Sequence, residues 1–462
     1  MEKRSFGILL GVAAMLATSG LTWADSSYAG GAAAATPPPA VNTENAPPLM
    51  NGLDQIKTGD TSVGQSMQNL GITIGGYGEV GYTRDFGNNA NAIPGRTFTS
   101  EAHNNLTLNA IDLFIAKNIN LYGTKLHQEG VDIGGKVEVL YGYNGDFIHS
   151  NGMNFYHNWN DNVQTYPLNQ FDLEQLYVDA GFALGNNAAM LIRFGKFNSP
   201  MGYERINPTE NAFYSHSFAF GNLTPYTQTG ILAKVVVGHE LSFWGAVTRG
   251  WNQSFRDNNT GVDGLIGVGF CPNSHLKTKL NISFGPQDNG TNNPNRVVVE
   301  PIITYIPPIL NNALSITSDT VFYYDGAGNT VAPADATVAF PAHQSNGGAF
   351  DEALYQTYRY NRYISYNFRE EYAYFGSGVA DNLGNQGTVD SLDSFDQFGD
   401  IHNALNLAEL TVGISLIPFP DSHMLHTLVI RPELREDLAD HSVFSGGKHY
   451  QTTFGVDAVY SF

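Results

Sequence analysis

The sequence contains one cysteine, few charged residues and, after its first two dozen residues, no long apolar run. With Cys271 as the single cysteine, an intramolecular disulfide is excluded. Beyond the start of the chain, no stretch approaches the roughly 18 consecutive apolar residues that a membrane-spanning helix requires. Charged residues make up only 14% of the chain, whereas disordered chains are rich in charge. Helical membrane proteins and disordered proteins are therefore both disfavoured.

The motifs of common hydrolases are missing as well. The chain has no His-Glu-x-x-His, no Gly-x-Ser-x-Gly and no pair of cysteines, and its thirteen histidines do not cluster. Its 43 acidic residues outnumber 23 basic ones, which gives a formal charge of −20. Nucleic acid is disfavoured as a partner, because phosphates repel such a chain. We expect no catalytic activity.

Glycine and aromatic residues are abundant instead, with 50 glycines, 24 tyrosines and 28 phenylalanines. From Ile72 onward, apolar and polar residues alternate in stretches that are separated by Gly, Asn, Asp and Pro clusters, which predicts strands with one apolar and one polar face. We predict an all-β fold, a transmembrane antiparallel β-barrel of about sixteen strands. The predicted strands are 72–85, 106–118, 131–144, 171–184, 189–197, 227–238, 240–251, 263–271, 276–286, 296–306, 313–325, 348–359, 363–375, 406–418, 425–437 and 449–462.

The connections between these strands alternate in length. Short turns such as 186–187, 238–239 and 307–308 are followed by longer loops such as 198–226 and 376–405. Outer-membrane barrels have short periplasmic turns and long outer loops, with both chain ends in the periplasm. A soluble β-sandwich has no reason to sort its connections in this way. The pattern therefore favours a barrel in the outer membrane, surrounded by outer-membrane lipids.

The two ends of the chain carry features of export. Residues 1–24 predict a signal peptide, with Lys3 and Arg4 before a short apolar run. Residues 25–70 are rich in alanine and proline and predict a periplasmic linker or a short plug, and 71–462 form the barrel. The last strand ends with Tyr460 and Phe462, and such an aromatic end resembles the signal that the barrel-assembly machinery reads.

Charged residues fall on the polar face of several strands, where they would be tolerated in a wet lumen. We interpret them either as a charged pore wall or as a salt-bridged ladder inside the barrel. Glu370 and Pro432 fit badly, since one falls on the lipid face and the other lacks a ladder donor, and a bulge would relieve both. The candidate wall residues are Lys136, Glu138, Arg369, Glu371, Arg431, Glu433, Arg435 and Asp437.

The loop 198–226 is a candidate constriction. If it folds into the lumen, Glu204 and Arg205 could face wall bases such as Arg193. Opposed charges in a narrow throat create a transverse field that selects solutes by charge and polarity. The alternative is that the loop lies outside as a lid, with its charges in water.

The loop 376–405 carries four aspartates at intervals of three or four residues, which raises the question of a calcium site. Calcium prefers carboxylate oxygens, but the spacing of these aspartates lacks the alternate-residue pattern of a compact calcium loop. We expect a solvated acidic loop and no cofactor. The candidate calcium ligands are Asp390, Asp393, Asp396 and Asp400.

Short motifs within the predicted strands resemble the beta-barrel porin-2 family (OmpL-like). They are Gln175-Leu176-Tyr177-Val178, Arg193-Phe194-Gly195-Lys196-Phe197 with Pro200, Gly202 and Glu204, and Pro225-Tyr226-Thr227-Gln228-Thr229-Gly230. The stretches Arg369-Glu370-Glu371 and Arg431-Pro432-Glu433-Leu434-Arg435 are also similar to strand endings of that family. The resemblance covers roughly 72–462 and implies an outer-membrane pore, with no catalytic or binding residues that could be transferred.

We therefore expect a porin-like channel for passive diffusion of small hydrophilic solutes or ions in a Gram-negative outer membrane. A wide sixteen-strand barrel can hold an aqueous channel, and the acidic composition favours cations. The alternative is a non-conducting barrel that acts as a surface adhesin or anchor through its outer loops. By analogy with sixteen-stranded porins, a homotrimer is expected, which would cover misfits such as Glu370.

Overall fold

Sixteen antiparallel strands close into a barrel in the computed structural model. Each strand pairs with its neighbours in sequence, and β1 pairs with β16, so the prediction of a sixteen-strand barrel is confirmed. The strands are β1 (Ile72–Asp85), β2 (Leu106–Lys117), β3 (Val131–Gly142), β4 (Gln170–Ala183), β5 (Ala188–Asn198), β6 (Thr227–Val237), β7 (Leu241–Thr248), β8 (Asp263–Asn273), β9 (Leu276–Pro286), β10 (Asn295–Tyr305), β11 (Leu314–Asp325), β12 (Gly347–Arg359), β13 (Ile364–Phe375), β14 (Leu405–Leu416), β15 (Val429–Ala439) and β16 (Tyr450–Ser461).

Helices are few and short. They are α1 (Ser62–Leu70), α2 (Thr124–Glu129), α3 (Gly145–Ile148), α4 (Phe218–Asn222) and α5 (Ser377–Ala380), with 3-10 turns at Pro208–Glu210 and Leu310–Asn312. In the part of the chain that the structure describes, no helix is long and apolar enough to cross a membrane. The described residues are 62–87, 93, 95–96, 104–148, 150–153, 169–287, 292, 295–326, 347–380, 404–444 and 447–462.

The N-terminal predictions lie mostly outside these residues. The signal peptide at 1–24 falls entirely beyond them and stays a prediction. Of the segment 25–70, only helix α1 is described, and its Leu70 is 60% exposed. Helix α1 leads directly into β1, so the described end of this segment continues into the barrel wall.

The barrel closes at the end of the chain. The register of β1 and β16 runs from Tyr77 opposite Ser461 to Asp85 opposite Thr453. The amide of Phe462 donates to the carbonyl of Gly76 at 3.0 Å, and the amide of Gly76 donates back at 3.2 Å. Phe462 therefore completes the last pair of backbone hydrogen bonds in the ladder. The use of Tyr460 and Phe462 as an assembly signal stays a prediction.

Most strand bounds lie within a few residues of those predicted, but β15 begins later than expected. We expected it at 425, whereas it begins at Val429. The preceding residues form a turn, in which the amide of Leu428 donates to the carbonyl of Leu425 at 3.1 Å. The apolar alternation thus continues beyond the strand, into a connection whose backbone hydrogen bonds form a turn.

The outer face is apolar and the inner face is polar, as the alternation predicted. Ile133, Val178 and Phe194 point outward and are at least 60% exposed. The two misfits stay on this outer face, and neither is relieved by a bulge. The register of β13 is continuous on both sides of Glu370. Beside Pro432, β14 and β15 keep their register but lack two pairs between Gly413–Glu433 and Leu416–Ile430.

The interior near the long loops is packed with side chains. Phe218 of helix α4 and Trp251 lie inside the barrel against inward-facing Tyr323 and Phe375, and all four are buried. A second buried cluster joins Phe147 and other loop residues to the wall of β1–β3. These loop residues therefore occupy part of the barrel interior.

Gly76 tests the closure of the barrel. A Cβ on Gly76 would lie 2.0 Å from the backbone oxygen of Asp112, whereas a Cβ on Gly78 would meet nothing within 4 Å. We expect Gly76→Ala to lower the folded fraction, because it separates β1 from β2 beside the closing strand. Gly78→Ala, in the same strand, is the control and should fold normally. The heat-dependent shift of the band on an SDS gel measures folding, and equal shifts for both variants would contradict the expectation.

Candidate channel constriction

The connection between β5 and β6, residues 199–226, folds into the barrel. It crosses the lumen and contacts inward-facing side chains of β9 to β15 on one side of the wall. It also reaches the other side, where the hydroxyl of Tyr214 accepts a hydrogen bond from Asn109 of β2 at 3.0 Å. We refer to residues 199–226 as the inner loop.

Wall carboxylates hold the backbone amides of the inner loop. Each of these carboxylates is buried, and each accepts a hydrogen bond from an amide that no regular secondary structure satisfies. The hydrogen bond offsets the cost of removing both groups from water. The contacts are Gly202 N to Glu300 at 2.7 Å, Tyr203 N to Asp319 at 3.0 Å, Tyr214 N to Glu433 at 2.9 Å and Ala219 N to Glu371 at 3.1 Å.

Wall cations hold the carbonyls of the same loop. They complete a clamp that binds the main chain from both of its polar sides. Because the clamp bonds main-chain atoms, it constrains the path of the loop and places little constraint on the loop's side chains. The contacts are Lys279 to Pro200 O at 2.6 Å, Arg369 to Ser215 O at 2.8 Å, Arg431 to Pro208 O and Asn211 O, both at 2.7 Å, and Arg435 to His216 O at 2.5 Å.

Glu204 is the main side-chain anchor of the inner loop. Its carboxylate pairs with Arg369 at 2.7 Å and with His216 Nδ1 at 2.7 Å. It also accepts from the Ser217 amide and from the Tyr355 hydroxyl, both at 3.0 Å. Burial alone would raise the pKa of Glu204, but Arg369 and His216 outweigh it and lower the pKa to about 2. The carboxylate is therefore ionised at physiological pH.

This position corrects one expectation. Glu204 does not face Arg193 across a throat, because it points to the opposite wall and pairs with Arg369. Arg193 pairs on its own wall with Asp179 through two hydrogen bonds of 2.9 Å and stacks over the Tyr177 ring at 3.6 Å. A buried carboxylate needs a close cation, and Arg369 is the one in contact with it.

The charged wall of β13–β15 is sealed by the inner loop. Arg369, Arg431 and Arg435 are at most 3% exposed, and so they do not line open space. Each also bonds a wall carboxylate, which favours the interpretation of a salt-bridged ladder over that of a bare pore wall. The pairs are Arg369–Glu409 at 2.9 Å, Arg435–Asp437 at 2.7 Å and Arg431–Asp457. Glu371, Glu433 and Asp437 are likewise at most 4% exposed.

Three inward glycines make room for aromatic side chains of the inner loop. A Cβ on Gly81 would lie 2.3 Å from the Tyr214 hydroxyl, and one on Gly413 would lie 3.1 Å from the Phe213 ring. A Cβ on Gly455 would lie 3.2 Å from the Tyr214 ring and equally close to the Glu433 side chain. The wall is thus shaped to receive the loop as well as charged to hold it.

The remaining candidate residues, apart from the buried Glu138, keep more solvent exposure than the arginines of β13–β15. Lys136 pairs with Glu138 at 2.6 Å on β3, and the Lys136 and Arg193 side chains keep 18% and 24% of their exposure. On the loop, Arg205 is half-buried and Glu210 is exposed. Glu210 lies within electrostatic range of Arg205, Lys136 and Glu138. These charges define a candidate constriction between the inner loop and β3–β5.

Sequence reasoning missed several anchors. Arg96, in the loop after β1, is 2% exposed and pairs with Asp437 at 2.7 Å. Alternation along the strands could have assigned the others to the inner face, but it could not show which strands face the inner loop. Those residues are Glu79, Lys279, Glu300, Asp319, Tyr355, Glu409 and Asp457.

A family model described as beta-barrel porin-2, OmpL-like, matches residues 71–462. The chain belongs to this family. The match covers the whole barrel, so the protein is a porin-like barrel of the outer membrane, as the motifs predicted. No protein among the curated sequences matches it.

Several solved outer-membrane proteins are similar to this family member. The Salmonella typhi OmpF complex with daunomycin is 12% identical, with a TM-score of 0.51 over 85% of this chain and 99% of that one. The outer-membrane channel DcaP of Acinetobacter baumannii is 10% identical, with a TM-score of 0.47 over 85% and 97%. OprB of Pseudomonas putida is 12% identical, with a TM-score of 0.49 over 88% and 97%. At 12% identity, the likeness to OmpF concerns the fold alone.

No cofactor site emerges in the described part of this porin-family barrel. Among those residues, no group of three or more His, Cys, Asp or Glu is placed to hold a metal ion. The candidate calcium ligands Asp390, Asp393, Asp396 and Asp400 lie outside the described residues. Cys271 is a half-buried thiol at the turn end of β8, and its amide donates to the carbonyl of Glu240 at 3.1 Å.

Glu204 gives a prediction with a defined pH dependence. Its lowered pKa means that its stabilising contribution is fully present above the ordinary value of 4.5 and is lost progressively as the pH falls from there through about 2. We expect Glu204→Gln to speed amide hydrogen exchange in residues 199–226, by a larger factor at about pH 7 than at about pH 3.

The control is Glu210→Gln, which changes an exposed carboxylate of the same loop and should leave exchange unchanged. If both variants exchange like the wild type at both pH values, the role of Glu204 as an anchor is wrong.

Proposed function

We propose that this protein is a channel for the passive diffusion of small hydrophilic solutes or ions across the outer membrane. The observation that carries the proposal is the inner loop, which is clamped across the lumen and leaves charged side chains partly exposed between itself and β3–β5. A surface anchor has no need to build a charged constriction inside its own barrel. We propose no catalytic role.

Size is the first selection that this arrangement would impose. The inner loop and the packed loop residues occupy much of the interior, so the passage is much narrower than the barrel itself. Because the clamp binds the loop backbone at many points, the loop cannot swing aside without breaking the buried Glu204–Arg369 ion pair and several buried hydrogen bonds. We therefore propose a fixed constriction that admits small solutes.

Charge is the second selection, and it would favour cations. Acidic residues outnumber basic ones in the chain, 43 to 23, and this excess of negative charge attracts cations from solution.

Arg205 and Glu210 of the inner loop test this proposal. In a planar bilayer, we expect Arg205→Ala to shift the reversal potential toward cation preference, because it removes a positive charge from the constriction. Glu210→Gln should shift it in the opposite direction. Arg362→Ala is the control, since Arg362 pairs with Asp421 at 2.7 Å in exposed connections outside the lumen.

Two outcomes would contradict the proposal. Well-folded protein without any step conductance would leave the non-conducting adhesin or anchor as the better explanation. Conductance with equal reversal potentials for wild type, Arg205→Ala and Glu210→Gln would place the constriction elsewhere in the lumen.

A further inference from the structure

Charged side chains of both signs gather between the inner loop and β3–β5. Glu210 of the inner loop lies within electrostatic range of Lys136 on β3. The Tyr177 hydroxyl on β4 lies within range of both Lys136 and Arg193. We name this set the charge cluster, and its basic and acidic members are equal in number, so their charges cancel. The members are Lys136, Arg193 and Arg205, which are basic, and Glu138, Asp179 and Glu210, which are acidic.

Arg193 is held in one orientation and keeps donors to spare. Its Nε and Nη2 donate to the two carboxylate oxygens of Asp179 at 2.9 Å each, and its guanidinium lies over the Tyr177 ring at 3.6 Å. A guanidinium has more N–H groups than these two bonds use, and among the described residues the others meet no acceptor. Because Asp179 and the ring fix the plane of the guanidinium, its remaining donors form a rigid fork that suits a carboxylate.

Lys136 flanks the same aromatic ring from the next strand. It lies directly opposite Tyr177 in the β3–β4 ladder, and its Nζ donates to Glu138 at 2.6 Å. An ammonium has further N–H groups beyond that bond. The Lys136 and Arg193 side chains are 18% and 24% exposed. The wall therefore presents two accessible cations on either side of Tyr177.

Glu210 supplies the opposite charge from the inner loop. Its side chain is exposed and, in the part of the chain that the structure describes, makes no hydrogen bond or ion pair. Its backbone is held in place, because the Asn207 side chain caps the turn Pro208–Glu210 by accepting from Thr209 N at 3.0 Å. Arg431 also donates to the carbonyl of Pro208 at 2.7 Å. A fixed turn thus presents a carboxylate within electrostatic range of a basic stretch of wall.

A solute that carries both charges matches this arrangement better than a simple ion does. An anion attracted by Arg193 and Lys136 is repelled by Glu210, and a cation attracted by Glu210 is repelled by the wall cations. A zwitterion places its carboxylate at the wall donors and its ammonium at Glu210, and forms charge-assisted hydrogen bonds at both ends. Because the charges of the cluster cancel, a solute without net charge leaves that balance unchanged.

We propose that the charge cluster binds small zwitterionic solutes, molecules with one carboxylate and one ammonium, as in an α-amino acid. The carboxylate accepts from Arg193 and Lys136, and the ammonium donates to Glu210. This inference rests on the proposed function, because it names the class of solute that the channel selects.

Saturation-transfer NMR on the purified full chain, folded in detergent, tests binding without any need for conductance. The probes are L-alanine, its uncharged isomer lactamide, and lactate as an anion of similar size. We expect transfer to alanine and much less to lactamide or lactate. Glu210→Gln should weaken alanine binding about tenfold, because a charge-assisted hydrogen bond is lost. Asp421→Asn is the matched control, since it removes a carboxylate that is 66% exposed in a connection outside the lumen, and it should bind alanine like the wild type.

Selective transfer to alanine that Glu210→Gln weakens and Asp421→Asn keeps supports the proposal. Equal transfer to alanine and lactamide, transfer to lactate as strong as to alanine, or unchanged affinity in Glu210→Gln overturns it. Step conductance of the same preparation in a planar bilayer decides the proposed function separately. A conducting protein that does not bind alanine keeps the channel and loses the site, whereas a folded protein that binds alanine without conducting keeps the site and contradicts the channel.

Discussion

The structure depends on the need to satisfy every backbone N–H and C=O of strands that lie in a membrane. In hydrocarbon no water can bond them, so a sheet of strands must close on itself. Here β16 meets β1, and the backbone of Phe462 exchanges two hydrogen bonds with Gly76. Closure then fixes which side chains point to lipid and which point to the lumen. Later features, from the ion-paired inner wall to the position of Glu370 on the outer face, follow from that division.

Inside this cylinder, buried charges serve to hold a loop in place. The wall offers carboxylates to the amides and cations to the carbonyls of residues 199–226, and Arg369 also bonds the anchoring carboxylate of Glu204. An isolated buried charge would be costly, whereas a charge with a partner and several hydrogen bonds is tolerated. In the same loop, Arg205 is half-buried and Glu210 is exposed. The proposed constriction and its support would thus involve different residues of one loop.

The sequence allowed much of the fold to be predicted, because strand alternation is a local property. Sixteen strands, their faces and the alternation of short and long connections could be recognised from residues that are neighbours along the chain. The start of β15 could not, since Leu425 and Leu428 continue an apolar pattern while their backbone forms a turn. The partners of Glu204 were also out of reach. Arg369 is 165 positions away, and only the curvature of the barrel brings the two together.

By itself, the sequence determined the class of protein and the sidedness of its strands. An apolar strand face that recurs in sixteen strands is stable in contact with lipid. Charged residues on the opposite face, such as Arg435, then have to point inward. Only the tertiary structure decided which inward charges are sealed and which stay exposed, because that depends on the path of the inner loop across the lumen. It also showed that Glu370 shares its face with Glu352 and Gln356, since strand pairing sets these neighbours and no local pattern encodes it.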